Sequence, residues 1–376
     1  MAGPSRSPDP DGLQEFSVVY TDRALNHMSA TFQQVMRDIS GTLKGVYAAD
    51  AAVVVPGSGT FGMEAVARQF ATGRRCLVIR NGWFSFRWTQ ILEAGSIAAG
   101  HTVLKARPSG TGPNAPFAPP SIEEVVAAVE RERPAVVFAP HVETSSGMML
   151  PDAYLRAVAD AVHAVGGLFV LDCIASGTVW VDMASTGVDV LISAPQKGWS
   201  APPSAGLVML GSRALERMKD TKSTSFACDL ARWHQIMQAY EAGGHAYHAT
   251  MPTDALRAFR DVMQETVAHG LEDVKARQIE LGSRVRQALE SRGFTSVAAE
   301  GFQAPGVVVS YTGDPEIQSG RAFAAQGVQI AAGVPLQCDE PEGFSTFRIG
   351  LFGLDKLMDV DGTVARFEAA LDALSD

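Results

Sequence analysis

One lysine of this sequence stands where an amine could react as a nucleophile. Lys197 lies in the segment APQKGWSAPPS, a loop rich in Pro, Gly and Ser between two apolar runs. Most lysines are solvated surface residues, but a lysine on a short loop enclosed by buried strands is expected to point into a cleft. Removal from water lowers the pKa of an ammonium group, and the neutral amine can form a Schiff base. We therefore interpret Lys197 as a candidate nucleophile.

Two further charged residues stand within or at the end of apolar runs. Asp172 is the last residue of LFVLD, and Arg348 lies inside the apolar pattern of STFRIGLFG. A carboxylate at such a place carries a desolvation cost unless a cation or a hydrogen-bond donor meets it. Asp172 could cap the next helix or bind a loop N–H group, or it could pair with a ligand cation. Arg348 could face water on an edge strand, or its guanidinium could grip a carboxylate with two parallel N–H groups.

A turn of small residues before a helical pattern is the fourth candidate. The first apolar run leads into PGSGTFGMEAVARQF, in which Ser58, Gly59 and Thr60 open the helix. Backbone N–H groups at a helix start, with two hydroxyl groups beside them, favour phosphate binding. The segment is neither a Walker loop, since no lysine follows, nor GxGxxG, since the third glycine is missing. On this motif alone, a simple N-cap is an equally good interpretation.

These candidates are positioned by short apolar runs that alternate with longer amphipathic stretches. That rhythm predicts an α/β fold with a mostly parallel sheet. The strand candidates are residues 51–55, 76–80, 102–106, 135–139, 168–172, 189–193 and 206–210. Helices are predicted between them, among others over 122–132 and over 152–166, where a Gly-Gly pair follows. In an open parallel sheet, ligands bind beyond the carboxyl ends of the strands, which is where the candidates before residue 200 stand.

The pattern changes in the last third of the chain. Residues 255–292 are helical without intervening strands, and strand candidates at 306–311 and 347–352 and a closing helix over 354–374 follow. We therefore expect an N-terminal arm (1–24), a large domain (25–265) that carries the ligand-binding candidates before residue 200, and a smaller α+β C-terminal domain (266–376). The segment 108–120, PSGTGPNAPFAPP, is predicted to be an exposed connection.

Composition and charge exclude several classes of protein. The 376 residues are 46% hydrophobic and 19% charged, which indicates a folded globular protein rather than a disordered one. The net charge of −10 repels phosphate backbones and anionic lipid surfaces, so we expect no nucleic acid partner.

The cysteines and the apolar runs bear on the compartment. The four cysteines stand far apart without a CxxC pair, so neither a metal site nor a disulfide framework is predicted. The first residues lack the pattern of a secretion signal, and no apolar run approaches the ~20 residues of a membrane-spanning helix. We therefore expect a cytoplasmic protein without a membrane partner.

The order and spacing of the four candidates resemble a known enzyme family. The segment Ser58-Gly59-Thr60, then Asp172, then Lys197 one strand unit later, and Arg348 near the C-terminus are similar to positions in the class V (fold type I) pyridoxal-phosphate aminotransferases, most closely the alanine–glyoxylate and serine–pyruvate group. The resemblance runs from about residue 25 to the C-terminus. It implies a fold type I transferase whose large domain contains a seven-stranded sheet, with pyridoxal 5′-phosphate as the cofactor.

At the reacting end of the cofactor, the resemblance implies three roles. Lys197 would form the Schiff base with the cofactor, and Asp172 would pair with the protonated ring nitrogen and keep the ring an electron sink. Arg348 would hold the α-carboxylate of the substrate.

The other cofactor contacts are implied in the same way. Ser58, Gly59, Thr60 and Gln196 correspond to residues that bind the phosphate, although the family often has His in place of Thr60. Ile174 belongs to the cofactor-binding segment that begins at Asp172.

Further implied contacts lie on the ring and across a subunit interface. Phe84, in NGWFSFRW, stands where an aromatic side chain stacks on the ring, with Trp83 as its rival and a plain core position as the alternative. Thr144, in HVETSSG, is similar to the residue that hydrogen-bonds the ring hydroxyl. Tyr247 and Thr250, in HAYHATMP, resemble a pair that reaches the phosphate from the neighbouring subunit of a homodimer.

The activity implied is transfer of an amino group from a small, alanine- or serine-like amino acid to a 2-oxo acid such as glyoxylate or pyruvate. The alternatives on the same fold are an aminophosphonate transaminase and a lyase or desulfurase, for which Cys338 is the only candidate cysteine. A catalytically silent binding protein is a further alternative, against which the joint presence of Lys197, Asp172 and Arg348 speaks.

One segment departs from the family pattern. Where the family usually has a Pro-Gly-Pro turn at the active-site entrance, this chain has SVVYTDRALNHMS. We expect Tyr20, with the three residues that follow it, to shape the substrate entrance. Two histidines, His141 and His248, are predicted to be structural hydrogen-bonding residues rather than acid–base groups.

Overall fold

The computed structural model describes residue 9 and residues 12–374 of the chain, which alternate strands and helices. The strands are β1 (Ala51–Pro56), β2 (Arg75–Arg80), β3 (Gly100–Lys105), β4 (Arg107–Pro108), β5 (Phe117–Ala118), β6 (Val136–Pro140), β7 (Val142–Glu143), β8 (Met148–Met149), β9 (Leu168–Asp172), β10 (Val190–Ser193), β11 (Ala205–Leu210), β12 (Val307–Tyr311), β13 (Ala331–Ala332) and β14 (Thr346–Gly350). The helices are α1 (Ala30–Tyr47), α2 (Gly59–Phe70), α3 (Trp83–Ala94), α4 (Ile122–Glu132), α5 (Asp152–Ala164), α6 (Met183–Thr186), α7 (Ser212–Lys219), α8 (Leu230–Glu241), α9 (Thr253–Ala268), α10 (Leu271–Glu290), α11 (Pro315–Gln318), α12 (Arg321–Ala325), α13 (Leu354–Leu357) and α14 (Val360–Asp372).

The central sheet contains seven strands in the order β1-β11-β10-β9-β6-β2-β3. They are the seven strand candidates of the sequence, which confirms the α/β class. The pairs β10–β9, β9–β6, β6–β2 and β2–β3 are parallel, whereas β11 runs antiparallel to β1 and β10. Strands β6, β9, β10 and β11 are buried along their whole length. Burial on both faces explains why these strands are continuous apolar runs rather than alternating ones.

The sheet register brings three of the candidates to one edge. Ile192 in β10 pairs with Asp172 in β9, so the loop that leaves β10 toward Lys197 starts beside the end of β9. The antiparallel strand β11 returns from that same edge, and Pro56 at the end of β1 pairs with Ala205 at its start. The turn after β1 therefore lies at the edge that carries Asp172 and the lysine loop.

The C-terminal part of the chain contains a smaller sheet with helices against it. Strands β12, β14 and β13 form it in that order, with antiparallel pairing. The predicted helical stretch 255–292 consists of α9 and α10. The predicted closing helix over 354–374 is interrupted, because Asp359 leaves the helical conformation and its carboxylate accepts a hydrogen bond from Gly362 N at 3.0 Å. An aspartate in this role begins a new helix, α14.

Apolar side chains are buried in three clusters. One runs from Leu25 to Met263 around the central sheet, and a second runs from Val274 to Leu371. The third joins Phe117 and its neighbours to residues of β12. Helix α9 crosses the predicted domain boundary at residue 265, and the division of the chain into arm, large domain and small domain remains a prediction.

The segment 108–120 is exposed only in its first half. Phe117 is 1% exposed, and its backbone N–H donates to Val297 O at 2.7 Å. The hydroxyl of Tyr311 donates to Ala115 O at 2.8 Å. The prediction of an exposed connection is therefore confirmed for residues 108–114 and wrong for 115–120, because Pro and Gly content marks a loop but does not show where a single aromatic side chain of that loop is buried.

Two further findings concern the whole of the described chain. All four cysteines are free and buried. In residues 12–374, no helix combines the length and the apolar composition that crossing a bilayer requires.

Candidate active site

A cavity of about 120 Å³ lies at the sheet edge where β1, β9 and β10 end. Its lining includes these residues predicted from the sequence: Ser58, Gly59, Thr60, Phe84, Thr144, Asp172, Ile174, Gln196 and Lys197. The other lining residues are Met63, Arg87, Val142 and Ala175. Five separate stretches of chain meet there, so the cavity is a product of the tertiary structure.

The Lys197 amine is half-buried and has no hydrogen bond or ion pair with any described residue. Its Nζ atom lies 5.9 Å from the centre of the Phe84 ring and 5.7 Å from that of Phe352. The loop that carries it packs closely, because a Cβ atom added at Gly198 would lie 2.0 Å from Gly177 O. Burial lowers the pKa of Lys197, with Asp172 opposing the shift. A larger fraction of the amine is therefore neutral and nucleophilic than on an ordinary surface lysine.

The Asp172 carboxyl group is buried at the end of β9, with 8% of the residue exposed. Its Oδ1 accepts a hydrogen bond from Ile174 N at 3.0 Å. Burial raises the pKa of Asp172 to about 6, although the Ile174 N–H group and Lys197 oppose the shift. A cation bound next to this carboxyl group would favour its ionised form. The protonated nitrogen of a pyridine ring is such a cation.

Helix α2 begins with open hydrogen-bond donors at the cavity. Ser58 is its N-cap in an extended conformation, but its hydroxyl makes no capping hydrogen bond. A Cβ atom at Gly59 would lie 2.5 Å from Ile174 Cδ1, so any larger residue there would require the Ile174 side chain to move. The free N–H groups and the Ser58 hydroxyl form a site suited to an anion such as phosphate.

Helix α3 is fixed at its start by a fully buried carboxylate. Glu143 accepts hydrogen bonds from Phe84 N at 3.1 Å and from Ser85 N at 2.8 Å. Its oxygens also accept from the hydroxyls of Ser85 and Ser145, both at 2.7 Å. A negative charge at a helix N-terminus is stabilising, and here it also sets the orientation of the first turn. As a result Phe84 lines the cavity, whereas its rival Trp83 packs against another aromatic ring of the helix.

The Thr144 hydroxyl is an unsatisfied polar group in the cavity wall. The residue is 7% exposed, and the oxygen has no hydrogen-bond partner among the described residues. Leaving a buried hydroxyl unpaired costs about 1–3 kcal/mol. A ligand with a hydroxyl group at this place would remove that cost, so Thr144, the Asp172 carboxyl group and the donors of α2 together fit a hydroxylated, phosphorylated pyridine ring.

Arg348 approaches the cavity from the smaller sheet. Its Nε donates to Ala332 O at 2.8 Å, and its guanidinium carbon lies 5.6 Å from the centre of the Phe84 ring. Burial lowers the pKa of Arg348, and Glu143 opposes the shift. The terminal N–H groups have no partner among the described residues, so they are available to a carboxylate of a ligand.

Besides Arg348, three of the predicted residues do not line the cavity: Tyr20, Tyr247 and Thr250. Tyr247 Oη and Thr250 Oγ1 lie 3.2 Å apart, and Tyr247 is 54% exposed. The Tyr20 hydroxyl donates to Met251 O at 3.3 Å, and the Tyr20 ring centre lies 5.6 Å from that of His27. The structure therefore places the entrance segment beside the Tyr247 region rather than on the cavity wall.

The two histidines make the predicted kind of contact. His141 Nδ1 lies 2.7 Å from Ser176 Oγ, and His248 Nε2 lies 2.8 Å from Phe226 O. Burial lowers the pKa of His141 to about 4, so this ring is neutral at physiological pH.

Two charged residues of the site were not identified in the sequence. Glu143 follows an apolar strand as Asp172 does, so the same criterion applied to 136–143 identifies it. Arg87 stands three residues after Phe84 on one helix, and residues at that spacing share a face. Helical periodicity applied to NGWFSFRW therefore contained a signal for Arg87.

Comparison with known proteins identifies a family with which this chain shares its sequence and fold. A model of the family "Aminotransferase class-V" matches residues 11–343. Alanine–glyoxylate aminotransferase 1 of Saccharomyces cerevisiae is 27% identical, and the match covers 83% of this chain and 82% of the relative. A 2-aminoethylphosphonate–pyruvate transaminase of Paraburkholderia phymatum is 28% identical, and the match covers 92% of this chain and 89% of the relative. The solved structure of an aspartate aminotransferase from Thermus thermophilus superposes with a TM-score of 0.76 at 28% identity and covers 93% of both chains.

The raised pKa of Asp172 predicts a pH dependence of the ligand-free protein. A carboxyl group whose pKa is about 6 in the folded state, against an ordinary value of 3.8, binds its proton more tightly when the protein is folded. The protonated carboxyl group therefore stabilises the folded state at low pH, and this stabilisation is lost as the pH rises from about 4 to about 6. We expect Asp172→Asn to be more stable than the wild type at pH 8 by about 1 to 3 kcal/mol, with the difference vanishing toward pH 4.

Urea unfolding of the ligand-free proteins at several pH values measures this difference. Asp50→Asn, which replaces an exposed carboxylate, is the control and is expected to follow the wild type at every pH. Equal stability of wild type and Asp172→Asn at pH 8 would contradict the burial argument.

Proposed function

The chain belongs to the class V aminotransferase family, and from this we propose that it transfers an amino group from a small amino acid to a 2-oxo acid such as glyoxylate or pyruvate. It is a transaminase with pyridoxal 5′-phosphate as the cofactor. The observation that carries the substrate proposal is one cavity in which an unpaired amine, a buried carboxyl group and an open helix start converge, with the Arg348 guanidinium beside it, whose terminal N–H groups have no partner among the described residues.

The cofactor would be held by cavity-lining groups that keep hydrogen-bonding capacity free among the described residues. The N–H groups at the start of α2, with Ser58, Thr60 and Gln196, would bind its phosphate. Asp172 would face the ring nitrogen, and Thr144 would bond the ring hydroxyl. When bound, pyridoxal phosphate carries the amino group and withdraws electrons from the substrate carbon.

Proton transfer is assigned to Lys197 Nζ. It is the one cavity-lining amine among the described residues, and burial lowers its pKa, so a larger fraction of it is neutral than of an ordinary surface lysine at the same pH. Nζ would take the proton from the substrate α-carbon as a general base and, as a general acid, would deliver it to the cofactor rather than back to the α-carbon. The rings of Phe84 and Phe352 on either side limit access of water to the amine.

Arg348 would select substrates by their carboxylate. Its Nε is occupied by the backbone of β13, which holds the guanidinium in place. The two terminal groups then present parallel N–H donors to a planar carboxylate. Both amino acids and 2-oxo acids carry such a group, so one residue would serve both half-reactions.

The desulfurase alternative finds no support at Cys338. The side chain is 3% exposed, and burial raises the pKa of its thiol to about 12. Its backbone N–H donates to the Glu340 carboxylate at 2.8 Å, within a loop that holds the residue in place. A thiol that is buried and protonated is a poor nucleophile.

We further propose that the protein acts in the cytoplasm as a homodimer with shared active sites. The buried, free thiols suit a reducing compartment. Tyr247 and Thr250 join their hydroxyl groups at an exposed surface, and the ring of Phe226, which is 78% exposed, lies 4.8 Å from that of His248 between them. Apolar exposure beside a polar pair is typical of a subunit contact.

Mixing two inactive variants tests the shared site. If Tyr247 serves the partner's cavity, a hybrid of Lys197→Ala and Tyr247→Ala subunits contains one intact site. Random reassociation should then restore about a quarter of wild-type activity, because half of the dimers are hybrids and each has one working site. Sedimentation reports the dimer itself. A fully active monomer, or mixed activity no higher than the mean of the two variants, would refute the arrangement.

The proposed reaction is tested through Lys197. We expect Lys197→Ala to keep its fold but to lose the visible absorbance of the cofactor Schiff base and at least about a hundredfold of its turnover. Lys222→Ala, on an exposed loop, is the control and should match the wild type. Addition of alanine or serine to the wild type, without acceptor, should bleach the Schiff-base band. Turnover of the Lys197 variant near the wild-type level would rule out the mechanism.

The substrate class is tested through Arg348. Lysine keeps the charge but not the fork of two donors, so Arg348→Lys should raise KM for amino acids and 2-oxo acids at least about tenfold, or ~1.4 kcal/mol, with the Schiff-base band unchanged. Arg366→Lys on the surface of α14 is the control. An unchanged KM, or a wild type that prefers aminophosphonates or simple amines, would favour the aminophosphonate alternative.

A further inference from the structure

We propose that Arg87 is the cationic partner of the cofactor phosphate. None of the phosphate-binding residues carried over from the family resemblance supplies a full positive charge at that end of the cavity. The inference rests on the proposed function, because it concerns how the proposed cofactor is bound.

The position of Arg87 is the first argument. It lies on α3, one helical turn after Phe84, and lines the same cavity as Ser58 and Gly59. Its Nη1 donates at 3.0 Å to Thr60 Oγ1, in the first turn of α2. The guanidinium therefore borders the place where the N–H groups of α2 would bind an anion.

The lack of a counter-charge is the second argument. In the described part of the chain, no carboxylate lies within 4.0 Å of the Arg87 guanidinium; its contacts are the Thr60 hydroxyl and the Phe84 ring, whose centre is 5.3 Å away. Arg68, on the neighbouring helix α2, pairs instead with Glu64 at 2.7 Å. A half-buried guanidinium that has lost part of its hydration without gaining a carboxylate is stabilised when an anion binds.

The charge of the phosphate is the third argument. Ser58, Thr60 and Gln196 are neutral, and a helix start contributes only about half an elementary charge. A phosphate monoester carries about −1.5 to −2 at neutral pH. Lys197, the other cation that lines the cavity, is assigned to the Schiff base. Arg87 is then the remaining full charge on the cavity wall that can oppose the phosphate.

Thr60 links this arginine to the phosphate. A hydroxyl group can accept one hydrogen bond and donate another. With its oxygen accepting from Arg87, the Thr60 hydroxyl keeps its own hydrogen for an anion on the other side. At the position where the family often has histidine, this chain thus combines a neutral hydroxyl with an arginine from the next helix.

Binding of two aldehydes separates a phosphate role from a structural one. Cofactor-free wild type, Arg87→Gln, Arg87→Lys and the surface control Arg156→Gln are titrated with pyridoxal 5′-phosphate and with pyridoxal, and the Schiff-base absorbance is recorded. We expect Arg87→Gln to weaken pyridoxal phosphate binding at least tenfold, which corresponds to ~1.4 kcal/mol, while pyridoxal binding stays within about twofold. Arg87→Lys should fall between Arg87→Gln and the wild type. Arg156→Gln should bind both aldehydes as the wild type does.

The other outcomes are decisive as well. Equal weakening of both aldehydes would show that Arg87 only supports α3, and unchanged binding of both would show no role; either result overturns the inference. A wild type that forms no Schiff base with either aldehyde would instead overturn the proposed function. Should Arg87→Gln fail to fold, judged by its melting curve, Arg87→Lys carries the test: a loss of affinity for pyridoxal phosphate but not for pyridoxal supports the inference, and no selective loss overturns it.

Discussion

The site depends on ionisable groups that the fold buries without placing an opposite charge in contact with them. The Lys197 amine and the Asp172 carboxyl group stand at the end of an apolar sheet, where burial shifts the pKa of each toward its neutral form. Neither group forms an ion pair with another described residue. Such groups are costly in an empty cavity and favourable in one that holds a complementary ligand. The fold tolerates the cost of burying these groups because the surrounding strands are themselves buried along their whole length.

A second buried carboxylate, that of Glu143, has a structural role. Glu143 is fully buried, yet its two oxygens accept hydrogen bonds from backbone and hydroxyl groups at the start of α3. These contacts set the phase of the helix, so that Phe84 and Arg87 both face the cavity. A buried carboxylate satisfied in this way is a rigid support, whereas the less satisfied Asp172 carboxyl group remains open to a ligand.

Three basic side chains lie near the aromatic ring of Phe84 in the site. The guanidinium carbons of Arg87 and Arg348 and the amine of Lys197 lie 5.3, 5.6 and 5.9 Å from the centre of the Phe84 ring. They come from three different parts of the chain, α3, β14 and the loop after β10. On a protein of net charge −10, this local excess of positive charge would attract small anions to one place. The proposed cofactor carries a phosphate group, and both proposed substrates carry a carboxylate group.

The sequence by itself determined the central sheet and the residues at its carboxyl ends. A continuous apolar run marks a buried strand, and a charged or small residue directly after it must lie at the sheet edge, so Ser58, Asp172 and Lys197 followed from local pattern and one general rule. Only the tertiary structure decided that Phe84 rather than Trp83 faces the cavity, that Thr60 meets Arg87, and that Phe117 is buried in a segment whose composition indicates an exposed loop. Those facts depend on helix phase and on contacts between segments tens of residues apart. Local composition carries no information on either, because both are set by how whole elements pack against one another.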